Sequence, residues 1–375
     1  RQPTWLRGAK TSFKWCCVMS EKILESPLRV AVVGAGYMGR AHIQAVLDCP
    51  NARLSAVVDP SPAAAELAAG LQVAHHLDLA SLLANTDSDA VVLATPNALH
   101  VDQTLQCVQA GLAVLLEKPV ATSVAEAERL VKHVKAEGAA PARILVGHHR
   151  AHSAIMQHAC EVIAIGQLGR IVAIQGAALF YKPDQYFESG PWRREIGGGP
   201  VLLNLIHEVH NLRMMAGSVV QVQALSSHAV RGHAVEDTVS IGLRFDSGVL
   251  ASFLLSDTAA SSRSWEQTSQ ENPAYDSHPE EDCYLITGTH GSLAVPSMQL
   301  QRYPEGQERS WWLPLETQTL PLQRWDPIAR QMAHFVDVAR GQTPPLVSLR
   351  DGLDNLRVTE AVMEAAHSGR TVPLN

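Results

Sequence analysis

The feature that most constrains this chain is a strand-turn-helix run, Leu28-Arg-Val-Ala-Val-Val-Gly34-Ala-Gly36-Tyr37-Met38-Gly39. An apolar strand meets three glycines spaced G-x-G-x-x-G, and a helix opens at once. Twenty residues past Gly39 a second apolar strand, 54–58, ends at Asp59. Each glycine has its own task. Gly34 permits the tight turn, Gly36 lets backbone approach a pyrophosphate, and Gly39 lets the helix pack on the sheet. The helix N-terminus offers N–H groups and a positive dipole end to phosphate. Asp59 suits the adenosine ribose hydroxyls and repels a 2′-phosphate. Pro60-Ser61-Pro62 follows it with no Arg, so NAD is expected, with NADP possible.

A length of 375 residues calls for two domains or three, and 46% hydrophobic residues supply cores for them. A net charge of -7 leaves no basic footprint for nucleic acid. No apolar run reaches the ~20 residues that cross a bilayer, so no membrane partner is expected. The six cysteines, Cys16, Cys17, Cys49, Cys107, Cys160 and Cys283, form no C-x-x-C pair, which reads as free thiols in a reducing, cytoplasmic setting. Residues 1–18 carry Trp5, Trp15, Cys16 and Cys17 without periodicity ahead of Met19. They read as an appendage, disordered or non-native, within an extension over 1–27.

Strand-helix alternation continues: helix 61–69, strand 89–94, helix 98–110, strand 113–116, helix 124–136 and strand 144–146. Short buried strands alternating with amphipathic helices predict a parallel sheet covered on both faces, a Rossmann domain over 28–148. Chemistry gathers at the carboxyl ends of such strands. Three polar clusters fall there: Thr95-Pro96-Asn97, Glu117-Lys118-Pro119 and His148-His149-Arg150. The pattern then changes. A helix at 151–164 precedes alternating strands at 171–180, 219–227, 238–245, 249–256, 283–287 and 291–295. Helices are expected at 200–215, 325–340 and 349–366. This predicts an α+β domain over 149–375 with a large, mainly antiparallel open sheet. The polar stretch 257–282 is long for a loop and suggests a lid, with Trp265, Glu266, Asn272 and Tyr275 as candidates.

Gly34-x-Gly36-x-x-Gly39, Thr95-Pro96-Asn97-x-x-His100, Glu117-Lys118-Pro119 and Gly197-Gly-Gly199 followed by His207 occur in that order. Together they resemble the Gfo/Idh/MocA family of glucose–fructose oxidoreductases and inositol dehydrogenases, from Leu28 to the C-terminus. The resemblance implies NAD(P)-dependent hydride transfer at a carbinol carbon of a sugar, cyclitol or related small molecule, by a homodimer or homotetramer. A sheet with one open face also points to self-association.

By this resemblance Lys118 is the catalytic lysine. A cation beside the substrate hydroxyl polarises it and stabilises the developing alkoxide. Pro119 stiffens the turn and Glu117 is expected to fix the Lys118 head. His207 becomes the general acid/base. Many members carry Asp four residues before that His. Here Leu203 stands there and Asn204 follows, which resembles an Asn-Leu-Ile-His branch; Asn204 can orient groups but not exchange protons. The expected cofactor-binding set is Gly34, Gly36, Tyr37, Met38, Gly39, Asp59, Thr95, Pro96, Asn97, His100, Glu117 and Lys118, with Asn97 and His100 bordering the nicotinamide ribose. The expected substrate contacts are His149, Arg150, Trp192, Arg193, Asn204 and His207. Trp192 suits a sugar face, and Arg193 and Arg194 suit a carboxylate or, equally, domain packing. A metal site is not expected from His148, His149 and His152, because adjacent side chains diverge on a strand. Two other readings stay open: a reductase of an imine, unsaturated or carboxylated small molecule, and a non-catalytic NAD(H)-binding regulator.

Overall fold

The computed structural model describes residues 26–374 apart from Thr86 and residues 137–142. The appendage expected over 1–18 lies outside the described residues. The described chain forms two compact units, one of residues 26–152 with 326–356, the other of residues 153–325 with 357–374.

The first unit begins with β1 (Leu28–Val33), α1 (Tyr37–Asp48), β2 (Ala52–Val58), α2 (Pro62–Leu71), β3 (Ala74–His76) and α3 (Leu79–Ala84). It continues with β4 (Ala90–Leu93), α4 (His100–Gln109), β5 (Ala113–Leu116), α5 (Val124–Ala136) and β6 (Ile144–Val146). All six strands are parallel, in the order β3-β2-β1-β4-β5-β6. The order reverses between β1 and β4, the switch point at which open α/β sheets bind ligands. Every residue of β4, β5 and β6 is buried, as a parallel sheet covered on both faces demands. The sequence pattern missed β3 and α3, because Ala-His-His carries no apolar signal.

In the second unit α6 (Ala154–Ala164) is capped by Ser153, whose hydroxyl accepts from the Ile155 and Met156 N–H groups. Then come β7 (Ile171–Leu179), α7 (Asp184–Glu188), α8 (Ile206–Ala216), β8 (Val219–Ser227), β9 (Thr238–Phe245) and β10 (Leu250–Ser256). The short α9 (Trp265–Thr268) precedes β11 (Tyr284–Gly288), β12 (Gly291–Val295), β13 (Gln299–Arg302) and β14 (Glu316–Thr319). The chain then returns to the first unit with α10 (Pro327–Ala339). It closes with α11 (Leu349–Ser368), whose second half belongs to the second unit, and β15 (Val372–Pro373).

The nine-stranded sheet runs β14-β13-β12-β11-β7-β10-β9-β8-β15. Every pairing is antiparallel except β7 with β10. The mainly antiparallel sheet is therefore as expected, with one parallel pair at its centre. Burial alternates along β9 and β10, so one face is covered and the other is not. The covered face packs Ile241, Phe253, Leu255 and Ile286 against Met156 of α6, Leu212 of α8 and Val362 of α11. The sequence pattern missed β13, β14 and β15. They are short and β14 is wholly exposed, so hydrophobic alternation has nothing to mark.

Three expectations are corrected. The second domain is not contiguous from 149 to 375: α10 packs on α1, β5 and β6, so residues 326–356 complete the first unit. His149–His152 form a 3-10 turn rather than a strand or the start of a helix. Within 257–282 Trp265 is 2% exposed and packs edge-on to Tyr284, so it is a core residue and not part of a lid, whereas Tyr275 is half exposed.

Because Phe335 of α10 is fully buried, F335A is expected to cost ~3–5 kcal/mol. Urea denaturation should show that loss, and NADH binding should weaken, since the damage falls in the nucleotide-binding unit.

Candidate active site

The glycine loop has the shape a dinucleotide needs. Gly34 sits at φ +92°, and a Cβ there would lie 2.5 Å from the Ala94 carbonyl oxygen. A Cβ on Gly39 would overlap the Gly34 carbonyl, so helix and strand touch backbone to backbone. Gly36 faces open space, leaving room for a phosphate. No side chain caps α1 and no acid lies in its first turn, so the helix end is left for an anion. Tyr37 is exposed and Met38 half-buried beside the loop.

Asp59 stands at the end of β2. Its Oδ2 accepts from the Ala35 N–H at 2.9 Å and its Oδ1 from the Ser61 N–H at 2.8 Å. Burial works against its charge, but these bonds from Ser61 and Ala35, with nearby His75, hold the carboxyl below the usual range. Each oxygen keeps lone-pair capacity for a ribose hydroxyl. His75, missed in the sequence, bonds the Asp59 carbonyl at 2.9 Å.

The turns after β4 and β5 are tied together by His100. Its Nδ1 lies 2.7 Å from the Pro119 carbonyl oxygen and its Nε2 2.9 Å from that of Thr95. Both ring nitrogens thus face backbone carbonyls, and burial pushes the imidazole pKa down. His100 is fully buried between the two turns, which the sequence did not reveal. Thr95 Oγ1 donates to Gln103 at 2.6 Å, and Asn97 opens a short 3-10 turn after Pro96.

Glu117 is buried beneath the second turn. Its Oε1 is 2.7 Å from His42 Nε2 on α1, and its Oε2 accepts from the Lys118 backbone N–H at 3.1 Å. Glu117 thus secures the turn through the Lys118 backbone. Burial raises its pKa, yet the His42 bond and the nearby Lys118 and His149 charges outweigh that and leave it ionised. A Cβ on Gly147, the residue after β6, would press within 2.9 Å of this carboxylate. His42 is another residue the sequence reading missed.

The remaining histidines separate. His148 bonds Asn355 at 3.1 Å, and His152 meets His334 at 2.9 Å. Arg150 is buried, and His149 is half-buried within electrostatic reach of Glu117.

The second unit holds its own polar cluster. Pro191–Arg194 is a 3-10 turn with Trp192 exposed. The Arg193 guanidinium lies 4.0 Å from the Tyr186 ring centroid. Gly199, at φ +79°, ends the glycine run; a Cβ there would lie 2.7 Å from Glu236. The same Glu236 oxygen accepts from the Val201 N–H at 2.9 Å. Val201–Leu205 then forms a π-helical turn leading into α8, an irregularity frequent at functional sites. Asn204 lies on that turn, and His207 is buried at the start of α8. Asn204 Oδ1 accepts from Lys182 Nζ at 2.7 Å. Sequence reasoning overlooked Lys182. Its signal was present: like Lys118 it follows a strand and precedes a proline.

A dinucleotide loop on a parallel sheet, a lysine at a strand end and a separate sheet-rich unit define an NAD(P)-dependent dehydrogenase acting on CH–OH groups. Residues 28–147 match the model of an oxidoreductase family with an NAD-binding Rossmann fold, and residues 161–374 match the C-terminal α/β domain of the same family. The chain belongs to the Gfo/Idh/MocA oxidoreductase family. It is 29% identical over 297 residues to a 1,5-anhydro-D-fructose reductase of Ensifer adhaerens, spanning 78% of this chain and 82% of that protein. It is 30% identical over 228 residues to an inositol 2-dehydrogenase of Rhizobium meliloti, 59% of this chain and 66% of that one. Its fold resembles an Agrobacterium radiobacter oxidoreductase solved with NAD+, L-tartaric acid and magnesium. That TM-score is 0.77 at 19% identity, over 93% of this chain and 98% of that one.

The Glu117 pairing has a pH signature. E117Q is expected to lower stability at pH 7 by ~3 kcal/mol, the scale of breaking a buried ionic pair. A carboxylate with a depressed folded pKa stabilises above its unfolded pKa and loses that contribution as pH falls through the folded value. The gap between wild type and E117Q in denaturant midpoint should therefore narrow below about pH 4.

Proposed function

We propose that the chain uses NAD in preference to NADP, and that Lys118 and His207 handle the hydroxyl proton of a sugar, cyclitol or related polyol. When bound, the nicotinamide supplies a hydride acceptor or donor. The observation that carries the reading is the placement of Lys118. It ends β5, two strands from the glycine loop of β1 across the switch point, about 10 Å at ordinary strand spacing. Its turn is held from below by Glu117 and from the side by His100. Asp59 ends β2 on the other side of the loop, where an adenosine ribose would lie.

In this reading Lys118 Nζ donates to the substrate oxygen and stabilises the charge that grows there. His207 takes the hydroxyl proton during oxidation and returns it during reduction. Asn204, locked by Lys182, orients the substrate with its amide. Trp192, exposed on its 3-10 turn, offers an aromatic face to a sugar ring. His149 and Arg150 follow β6 at the same edge of the sheet as Lys118. The related anhydrofructose reductase and inositol dehydrogenases support a polyhydroxylated substrate.

K118M is expected to bind NADH as the wild type does and to turn over at least ~100-fold more slowly. Fluorescence titration gives the first quantity and a dehydrogenase assay on polyols and sugars gives the second. Unchanged turnover would remove Lys118 from the chemistry. The same titration should give weaker binding for NADPH than for NADH.

We further propose a homo-oligomer built on the open face of the large sheet. Leu250 (52% exposed), Leu254 (41%) and Leu285 (38%) project there from β10 and β11. An apolar sheet face of this kind favours self-association. Light scattering should return at least twice the 40.5 kDa chain mass.

A further inference from the structure

We propose that Lys182, Arg193 and Asn204 form a subsite for a carboxylate of the substrate, so that hydroxy acids or sugar acids are taken in preference to neutral polyols. The inference rests on the reading above that Asn204 touches substrate. It names the substrate class, which that reading leaves open.

Lys182 and Arg231 meet one buried carboxylate, Asp257, and Arg193 shares the Tyr186 ring with Lys182. Arg231 holds that carboxylate with Nε on Oδ1 at 2.8 Å. Lys182 Nζ stands 3.7 Å from the other oxygen, beyond hydrogen-bond reach, while its hydrogen bond goes to the neutral amide of Asn204. Asp184 is exposed and reaches only Arg231, at 3.9 Å. Glu236 is spent on the Val201 N–H, and burial raises its pKa, which weakens it as a counter-charge. Arg193 pairs with no carboxylate among the described residues. It donates to the Tyr186 carbonyl and, at 3.1 Å, to Ser189 Oγ. The cluster carries more positive than negative charge in a largely desolvated place.

Arg193 and Lys182 can only donate. Lys182 occupies the Asn204 oxygen, so the Asn204 amide presents its NH2 end, which has no acceptor among the described residues. A site with donors alone calls for a ligand with acceptors alone, and a carboxylate is that ligand. The cluster is also preorganised. Lys182 Nζ and the Arg193 guanidinium lie 4.9 and 4.0 Å from the centroid of the same Tyr186 ring. Gly190 has no side chain to displace the guanidinium; a Cβ there would come within 2.8 Å of it. A mere structural ion pair would need neither a shared aromatic platform nor an unpaired arginine.

The cluster also sets a pH limit. Burial pulls the Lys182 pKa down to about 8; Asp257 opposes that shift, and Arg231 and Arg193 add to it. Carboxylate affinity should therefore fall as pH rises above about 8, when the amine loses its charge.

The test uses the full-length enzyme loaded with NADH, with calorimetric binding of three pairs: D-gluconate against D-sorbitol, D-glucuronate against D-glucose, and D-glycerate against glycerol. At pH 7 at least one acid should bind ~10-fold or more tightly than its neutral partner. R193L and K182M should erase that preference without changing the NADH dissociation constant, and K182R should keep it. If K182M does not fold, R193L and K182R carry the comparison. No acid favoured over its partner, or a preference surviving in R193L, overturns the proposal. Turnover of neutral polyols that depends on Lys118, with no acid preference, would leave the dehydrogenase reading standing while this one falls.

Discussion

The buried Glu117 carboxylate is the interaction on which the nucleotide-binding unit turns. It joins α1 through His42, fixes the β5 turn through the Lys118 N–H, and presses against Gly147 at the end of β6. Three elements of one sheet edge are thereby set by a single charged group. A carboxylate buried to this degree is costly unless it is paired and fully bonded. Here both oxygens have partners, so the charge is kept and its field is available to the groups above it. His100, buried between the turns after β4 and β5, sets one ring nitrogen against a carbonyl of each. The Lys118 turn is thus set through its backbone N–H.

The second unit solves a related problem differently. A π-helical turn interrupts the approach to α8 and carries Asn204. Its N-terminal N–H is held by Glu236, and the amide is held by Lys182. Lys182 itself comes from the segment after β7 and is braced by Asp257 and two aromatic rings. Leu203 stands four residues before His207, and the neutral amide of Asn204 follows it with a cation behind. That pairing bears on what the site can recognise more than on what the fold can support.

The membership of these groups was unevenly legible. Gly34, Gly36, Gly39 and Asp59 announce themselves because their spacing has a local mechanical reason. Lys118 and His207 stood out through a family resemblance rather than from spacing alone. Lys182, Asp257, Arg231 and His42 did not stand out. Each acts through a partner distant in sequence, and a single lysine after a strand looks like any solvent-facing lysine. The burial of His100 and Trp265 went unseen for the same reason. Whether a His or Trp is buried depends on what covers it, and no local pattern reports that.

By itself the sequence determined the two kinds of sheet, the dinucleotide loop and most strand and helix positions, because hydrophobic periodicity and glycine sterics act within a few residues. Only the tertiary structure decided that α10 completes the first unit, that Glu117 and His100 hold the Lys118 turn, and that Lys182 stands behind Asn204. Those outcomes depend on packing and on desolvated polar pairs between residues up to about three hundred positions apart, which no local window of sequence contains.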